Sequence, residues 1–383
     1  MVGLHHNIKR IFKMKHLITI MKQLITIGIL LFSMITSQGQ TQKEFISSLN
    51  KEIPKALEQH KVPGLAIAII ENGKVIVKKG FGYANVDLQK KVTVKDGFNI
   101  GSISKMFTAW GVMKLVETGK VNLDTPISTY LKSWKLPGSN FDNSKVTVRN
   151  VLNHSAGLTV HGYNGYNSKK EVPTLVNSLN GTKNATEKVT LFAMPNTKWK
   201  YSGGGYSILQ LLIEDVSGMS FEKFMKRNIF KPLKMKRTSF TIDKKIIRNS
   251  AKAYDEQGKV IPLRLFAAKA AAGLHTTLED LILFAQSSIS NNKVVSKKSF
   301  ELMTKATKVS RGDYGFGYMI MNRFGDFTLT GHGGSNEGWH SGFMLDLKSK
   351  SGFIILTNGS NGRKILFRSL QSWAKWHGQN LKN

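Results

Sequence analysis

Residues 98–110, FNIGSISKMFTAW, contain the pattern on which the prediction of the fold depends. An S-x-x-K motif, Ser102-Ile103-Ser104-Lys105, stands directly before apolar residues at helical spacing. We expect a buried helix over residues 102–118 that ends at Gly119, because glycine commonly follows the last turn of a helix. Its apolar stripe consists of Ile103, Met106, Phe107, Trp110 and Met113.

The spacing within this motif has a chemical consequence. Residues three apart in a helix share one face, so Ser102 and Lys105 are expected one turn apart. A partly desolvated lysine can take the proton of a neighbouring hydroxyl, and a helix N-terminus favours a developing oxyanion. Ser102 alone also fits an ordinary N-cap, because serine is common there. The motif therefore predicts a nucleophile only in combination with further motifs.

A second motif, Tyr201-Ser202-Gly203, precedes a predicted helix over residues 206–217 that ends at Gly218. A tyrosine beside a flexible glycine run can reach into a cleft and serve as a proton acceptor or relay. Taken by itself, Tyr201 also fits a packed aromatic residue at the end of a loop.

The third motif is His332-Gly333-Gly334-Ser335, which follows a strand predicted over residues 327–330. Glycine-rich backbone at the edge of a strand allows a substrate to approach closely and offers N–H groups to an oxyanion. His332 could hold a substrate carboxylate or polarise Tyr201. The alternative is an ordinary turn histidine in a glycine loop.

Both ends of the chain predict strands, and the middle predicts helices. Asn72-Gly73 between residues 65–70 and 75–77 is a strong hairpin signal. Further strands are predicted over residues 327–330, 342–347 and 352–357. Helices are predicted over residues 45–57, 277–287, which opens with a capping-box pattern, and 363–376. The expected fold is α+β, of the β-lactamase/transpeptidase type, with one antiparallel sheet built from both chain ends and flanked by helices. A mainly helical region is inserted near residues 120–270, with a loop over residues 162–188.

The first forty residues have the composition of a secretory signal peptide. Basic residues precede an apolar run over residues 24–36, and small and polar residues follow at 37–40. The run is shorter than the roughly 20 residues of a membrane span. We therefore expect a signal peptide at 1–40, a hydrolase domain at 41–383, no membrane span after cleavage, and export to the periplasm or the outside of a bacterial cell.

Charge and cysteine content exclude several classes of protein. The chain has 56 Lys and Arg against 24 Asp and Glu, a formal net charge of +32. The lysines are scattered and form no nucleic-acid-binding motif, so we expect weak attraction to anionic envelope polymers and no specific nucleic acid. The absence of cysteine removes disulfides and thiolate chemistry. The sequence contains no metal-binding pattern, and we expect neither a metal nor another cofactor.

Together, the motifs resemble the family of class C β-lactamases and penicillin-binding carboxypeptidases, which also contains esterases and peptidases. The resemblance extends over nearly all of the chain after the leader. It is carried by residues 62–66, 98–102, 148–158, 195–201, 271–280 and 314–318, besides the three motifs.

The resemblance implies a role for each motif residue. Ser102 would be the nucleophile, and Lys105 and Tyr201 would share the work of the general base. His332 stands where the family has Lys or His. The backbone N–H groups of Ser102 and Ser335 would form the oxyanion hole. Gly203, Gly333 and Gly334 would line the substrate, whereas His154 would have a structural role.

Two departures from the family pattern affect the expected substrate. Gly203 replaces a frequent asparagine, which removes an amide for an acylamino side chain. His332 in place of lysine would make the positive charge of the site depend on pH, so activity would fall, or the substrate preference would change, below about pH 6 to 7. These differences favour a small-molecule or peptide substrate with an ester, an amide or a D-aminoacyl bond over a β-lactam.

Two alternatives to this hypothesis are considered. A catalytically idle envelope-binding protein could use the same fold. A Ser-His-Asp hydrolase could use residues 153–157, NHSAG, which lack the first glycine of the nucleophile elbow.

Overall fold

The protein is described by a computed structural model over residues 40–185, 187–290, 294–322, 324 and 326–381. The predicted signal peptide lies outside the described residues except for Gln40.

Most strands lie near the two ends of the described chain, and most helices lie between them. The strands are β1 Gly64–Glu71, β2 Lys74–Asn85, β3 Lys90–Lys91, β4 Gly97–Asn99, β5 Ala253–Tyr254, β6 Val260–Ile261, β7 His275–Thr277, β8 Met319–Met321, β9 Leu329–Asn336, β10 Trp339–Asp346 and β11 Ser351–Thr357. The α-helices are α1 Gln42–Gln59, α2 Ser104–Glu117, α3 Val148–Leu152, α4 Leu175–Asn180, α5 Gly203–Ser217, α6 Phe221–Met225, α7 Lys244–Asn249, α8 Lys269–Ala272, α9 Leu278–Ile289, α10 Lys297–Met303 and α11 Gly362–Asn380.

The main sheet joins the two ends of the described chain. Its strand order is β3-β2-β1-β11-β10-β9-β8, and all neighbouring pairs are antiparallel. Strand β1 pairs with the central strand β11 in a register that sets Ile67 opposite Ile355. Positive φ angles of 49° at Asn72 and 78° at Gly73 complete the predicted hairpin between β1 and β2. The α+β prediction with a sheet from both ends is confirmed.

Two hydrophobic cores cover the two faces of this sheet. Leu65, Ile67 and Ile69 face α1 and α11, where the rings of Phe45 and Trp376 stack with centroids 4.4 Å apart. The alternate residues of β1 face the second core, which includes most of the buried residues from the helical region. Since side chains of a strand alternate between its faces, β1 is apolar at nearly every position.

Helix α2 lies in the middle of the second core. It is buried on all sides from Ser104 to Met113, so its buried surface is broader than the predicted stripe. The helix proper begins at Ser104, and Ser102 lies in a 3₁₀ turn, Gly101–Ile103, just before it. The predicted helix start at Ser102 is therefore two residues too early.

Four other local predictions also differ from the structure. His332 to Ser335 lie inside β9 rather than in a loop after it, because β10 pairs with this whole segment. Helix α5 begins at Gly203, where the Ser202 hydroxyl accepts the Gly205 N–H. Thr277 caps α9, since its hydroxyl accepts the Asp280 N–H. The Asp280 carboxylate does not complete the predicted capping box, because it accepts from the Arg237 N–H and the Thr238 hydroxyl instead. The predicted loop over residues 162–188 contains α4.

Candidate active site

The structure brings Ser102 and Lys105 together at the junction of the sheet and the helical region. The Lys105 Nζ atom lies 3.3 Å from the Ser102 Oγ atom. The same nitrogen donates to the main-chain carbonyl of Ala271, in α8, at 2.7 Å. Ser102 is half-buried, whereas Lys105 is only 2% exposed. A substrate can therefore reach the hydroxyl while the amine stays out of water.

Burial determines the charge of Lys105. Desolvation lowers the pKa of Lys105 to about 7. Near this pH the amine is neutral in a large fraction of molecules. It can then donate to Ala271 and still direct its lone pair to the Ser102 hydroxyl. This is the arrangement that a lysine general base requires.

Tyr201 lies close to the Lys105 amine. The Nζ atom of Lys105 lies 4.8 Å from the centroid of the Tyr201 ring. The hydroxyl of Tyr201 is buried without a regular hydrogen-bond partner among the described residues. Burial raises the pKa of Tyr201, and the neighbouring Ser102 hydroxyl opposes the shift only in part. The phenol keeps its proton at neutral pH, so Tyr201 is suited to donate or relay a proton rather than to share the role of base.

The turn that carries Ser102 is held by main-chain geometry. Gly101 has a φ of +51°, and a Cβ atom there would lie 2.6 Å from the Ser335 nitrogen. Only glycine fits both conditions without strain. The Asn99 side chain accepts the Gly101 N–H at 3.0 Å, and Asn336 donates to the same Asn99 oxygen at 2.6 Å.

This packing places the backbone of Ser335 beside the turn of Ser102, as an oxyanion hole built from their N–H groups would require. Strand β8 pairs with β9 only from Leu329 to Gly331. The segment of β9 from His332 to Ser335 therefore extends past the β8 pairing, at the edge that the third motif was expected to form.

His332 lines the site, but its environment contradicts the expected titration near pH 6 to 7. The side chain is buried, and its Nε2 atom lies 3.1 Å from the Tyr314 hydroxyl. Burial, together with the charge of Lys105, lowers the pKa of His332 to about 3, although a hydrogen bond to the Gly333 carbonyl opposes the shift. His332 is neutral at physiological pH and presents no positive charge to a substrate carboxylate.

The Tyr314 hydroxyl links His154 and His332, both buried, in a chain of hydrogen bonds. The partners at the two ends of this chain determine which group donates in each bond. Ser202 N–H donates to His154 Nδ1 at 3.1 Å, so the proton of His154 lies on Nε2 and is donated to the Tyr314 oxygen at 3.2 Å. Tyr314 donates in turn to His332 Nε2, and the Nδ1–H of His332 donates to the Gly333 carbonyl. Burial, and after it the charge of Lys105, lowers the pKa of His154. This chain ties the tyrosine motif to β9 and gives His154 a structural position.

The three glycines expected to line the substrate have different surroundings. Gly203 is buried, and a Cβ atom there would lie 2.9 Å from the His161 carbonyl. A Cβ atom at Gly334 would lie 1.9 Å from the Ile100 carbonyl. Close backbone packing therefore explains why both positions are glycine. Neither glycine has open space beside its Cα atom for a substrate. Gly333 alone has open space, with the nearest atom at 3.9 Å.

Sequence reasoning missed several residues that organise the site. Asn99 and Tyr314 stand within family-like stretches, but no pattern separated them from their neighbours. Ala271 begins another such stretch and Asn336 lies in none, and the roles of both depend on contacts between distant segments. Trp199, 38% exposed, packs against Tyr314 at 5.7 Å between centroids and provides an aromatic surface at the rim.

Other proposed chemistries find no support in the described residues. Ser155, the serine of the possible nucleophile elbow, is fully buried and bonded to Asn150 and Asn196. Within the described ranges, no group of three or more His, Asp or Glu side chains could hold a metal ion. None of the helices described is long and apolar enough to cross a membrane.

The sheet from both chain ends and the serine–lysine pair beside β9 define the class of penicillin-recognising serine proteins. Comparisons with known proteins agree. The sequence pattern of the family described as Beta-lactamase matches residues 49–368. The chain therefore belongs to the beta-lactamase family, as the resemblance of its motifs predicted.

Individual relatives cover most of this chain. The putative penicillin-binding protein PbpX of Bacillus subtilis (strain 168) is 30% identical over 333 residues, which are 85% of this chain and 75% of PbpX. Protein flp of Staphylococcus aureus (strain N315) is 27% identical over 332 residues, and the match spans only 64% of flp. The structure of the octameric penicillin-binding protein homologue from Pyrococcus abyssi superimposes with a TM-score of 0.71 at 31% identity, over 82% of this chain and 74% of that one.

Proposed function

We propose that this protein is a serine acyl hydrolase that forms an acyl-enzyme on Ser102 and releases the acyl group to water. The observation that carries the proposal is the 3.3 Å contact between the Ser102 hydroxyl and the buried Lys105 amine. A lysine whose pKa is lowered to about 7 is matched to proton transfer near neutral pH.

Acylation begins when the neutral Lys105 amine takes the hydroxyl proton of Ser102 and the oxygen bonds to the substrate carbonyl carbon. The carbonyl oxygen becomes an oxyanion that accepts from the N–H groups of Ser102 and Ser335. When the tetrahedral intermediate collapses, the leaving alkoxide takes a proton from the Tyr201 phenol. The Lys105 ammonium then returns a proton to Tyr201.

Deacylation repeats these steps with water. Lys105 takes a proton from the water molecule as its oxygen bonds to the acyl carbon. The bond from this carbon to Ser102 breaks, and the serine oxygen regains its proton from Lys105. The products are a carboxylic acid and an alcohol, and the protein returns to its starting state.

The preferred substrate is an ester or a neutral amide, ahead of D-aminoacyl peptides and β-lactams. Such peptides and β-lactams carry a carboxylate, for which the site offers no charged group at His332 because this histidine is neutral and bonded to Tyr314 and Gly333. The exposed face of Trp199 would bind an apolar acyl or alcohol group.

The leader composition supports a further part of the proposal, that the protein acts after export, in the periplasm or outside the cell. The excess of lysine over the whole protein would attract it weakly to anionic polymers of the envelope.

Intact-mass measurement after brief exposure to p-nitrophenyl butyrate, and separately to benzylpenicillin, tests this function. We expect a transient butyryl adduct on the unmodified protein and none on Ser102→Ala. Ser155→Ala should still form the adduct, because Ser155 is buried away from substrate. A stable penicillin adduct would instead indicate a penicillin-binding protein that acts on peptides. No adduct and no turnover with either compound would favour the idle binding protein.

A further inference from the structure

Another cleft is lined in part by Gly97 of β4 and by His275 and Thr277 of β7. It has a volume of about 850 Å³, within the range of about 300–1,000 Å³ that is typical of small-molecule sites. Its walls come from the segment between α6 and α7, from α7, and from β7. None of the residues assigned to acyl transfer lines it.

The floor of this cleft is apolar. Phe230, Met235 and Phe240 pack there as part of the helical core, and Ile246 of α7 closes one side. Such a floor would bind a hydrocarbon chain or a ring rather than an extended polar polymer.

The rim of the cleft is strongly basic. The cationic side chains that line it are Lys95, Lys223, Lys226, Lys231, Lys234, Lys236, Arg237 and Lys245. Two carboxylates accompany them, and both already have partners, since Glu222 binds Lys269 and Asp243 caps α7. Arg237 pairs with Glu279, but the seven lysines form no ion pair with any described residue. Mutual repulsion of these lysines would be relieved by an anion.

A buried histidine adds an independent sign of a ligand. His275 of β7 lines the cleft, is 1% exposed, and has no hydrogen-bond partner for either ring nitrogen among the described residues. Asn99 and Ser239 pair with its main chain, and the ring packs edge-on against Trp339 at 6.2 Å between centroids, a contact that gives neither ring nitrogen a hydrogen bond. A neutral imidazole always carries one N–H, and buried N–H groups are nearly always paired in folded proteins.

We propose that this cleft binds a single-chain anionic amphiphile, whose acidic head lies among the rim lysines and whose apolar chain covers the floor. Oxygen atoms of the head supply the acceptors that the lysines and the N–H of His275 lack. A polyanion would satisfy the lysines, but it would leave the apolar floor and the enclosed volume unused.

Calorimetric titration of the purified full chain with sodium dodecanoate, below its micelle concentration, tests the proposal. We expect one site per chain that weakens as salt is added. Acetate has the charge without the chain, and dodecyltrimethylammonium has the chain with the opposite charge. Neither is expected to bind at the same concentrations. Inorganic polyphosphate that bound as tightly as dodecanoate would overturn the proposal in favour of a polyanion surface.

Variants locate the site. The pair Lys231→Glu and Lys236→Glu should weaken dodecanoate at least tenfold, whereas the matched pair Lys135→Glu and Lys364→Glu, on exposed lysines outside the cleft, should change it less than twofold. His275→Phe, which keeps the ring volume, should also weaken binding severalfold, and thermal melting confirms that each variant folds. Equal affinities in the two charge-reversed pairs would contradict the assignment. Loss of binding in Ser102→Ala would place the ligand in the acyl-transfer site and overturn it as well.

Discussion

The Nε2 atom of His332 lies 3.1 Å from the Tyr314 hydroxyl, and this contact separates the histidine from the substrate chemistry expected of it. A histidine at the edge of a glycine-rich strand would be charged in mild acid if it faced solvent. Here burial lowers its pKa to about 3, and the proton that titrates near neutrality belongs to Lys105.

The pH dependence of activity should therefore follow Lys105. Its amine must be neutral to take the Ser102 proton, so kcat/KM for an ester should rise with pH through a midpoint near 7 and fall about tenfold per unit below it. His332→Gln should lower the rate but keep this midpoint. A midpoint that disappears in His332→Gln would show that the histidine is the titrating group.

Lys105→Ala should reduce kcat by about 10²- to 10⁴-fold, the usual contribution of a general base. Lys114→Ala is the matched control, because Lys114 lies on the same helix and also donates to a main-chain carbonyl, that of Val294. Single-turnover rates of ester cleavage compare the two variants. Similar losses in both would indicate damage to α2 rather than loss of the base.

Gly101→Ala should impair both folding and activity, because the new Cβ atom would lie 2.6 Å from the Ser335 nitrogen. Gly119→Ala has a similar positive φ, +70°, with no atom within 4 Å, so it should show only the backbone strain of about 1–2 kcal/mol. Urea unfolding and ester kinetics measure the difference. If the two variants lose equal stability and equal activity, the contact with Ser335 has no special effect.

Tyr314→Phe should reduce kcat by leaving the facing nitrogens of His154 and His332 without a partner, which loosens the link between the tyrosine motif and β9. Tyr318→Phe is the matched control. It removes a comparable buried hydroxyl, which accepts a hydrogen bond from Trp110 and takes no part in the hydrogen-bond chain between His154 and His332. Both variants should lose about 1–3 kcal/mol of stability, but only Tyr314→Phe should lose kcat. An unchanged kcat in Tyr314→Phe would show that the hydrogen-bond chain from His154 to His332 does not position the catalytic residues.

His377 of α11 should make stability depend on pH. Burial opposes its charge, but hydrogen bonds to Asp346 and Glu71 outweigh burial and raise the pKa of His377 to about 9. Because the folded value exceeds the unfolded one of about 6.5, this contribution is complete below pH 6.5 and is lost as pH rises to 9. His377→Gln should therefore cost up to about 3 kcal/mol at pH 6 and much less at pH 9.5, measured by urea unfolding. A pH-independent cost would show that His377 is neutral in the folded state.

Local patterns predicted the fold and the centre of the site well. The Asn72-Gly73 turn and the spacing of Ser102 and Lys105 are short-range features, so periodicity and turn chemistry suffice to find them. The state of His332 depends on Tyr314, and the position of Ser102 depends on Asn336, which lies more than 200 residues away along the chain. Such contacts between distant segments determine burial and hydrogen bonding, and they cannot be predicted from local sequence patterns.

The pairing of Ile67 with Ile355 also has a consequence for the order of events during synthesis. Strand β1 is made early, yet one of its two partners, β11, is among the last elements to emerge. Until then, the β11 edge of a strand that is apolar at nearly every position stays unpaired, and β9, which carries the oxyanion backbone, emerges only shortly before β11. A nascent chain of this protein is thus inactive and exposes apolar surface until its last strand leaves the ribosome, so it depends on being kept from aggregating for most of its synthesis.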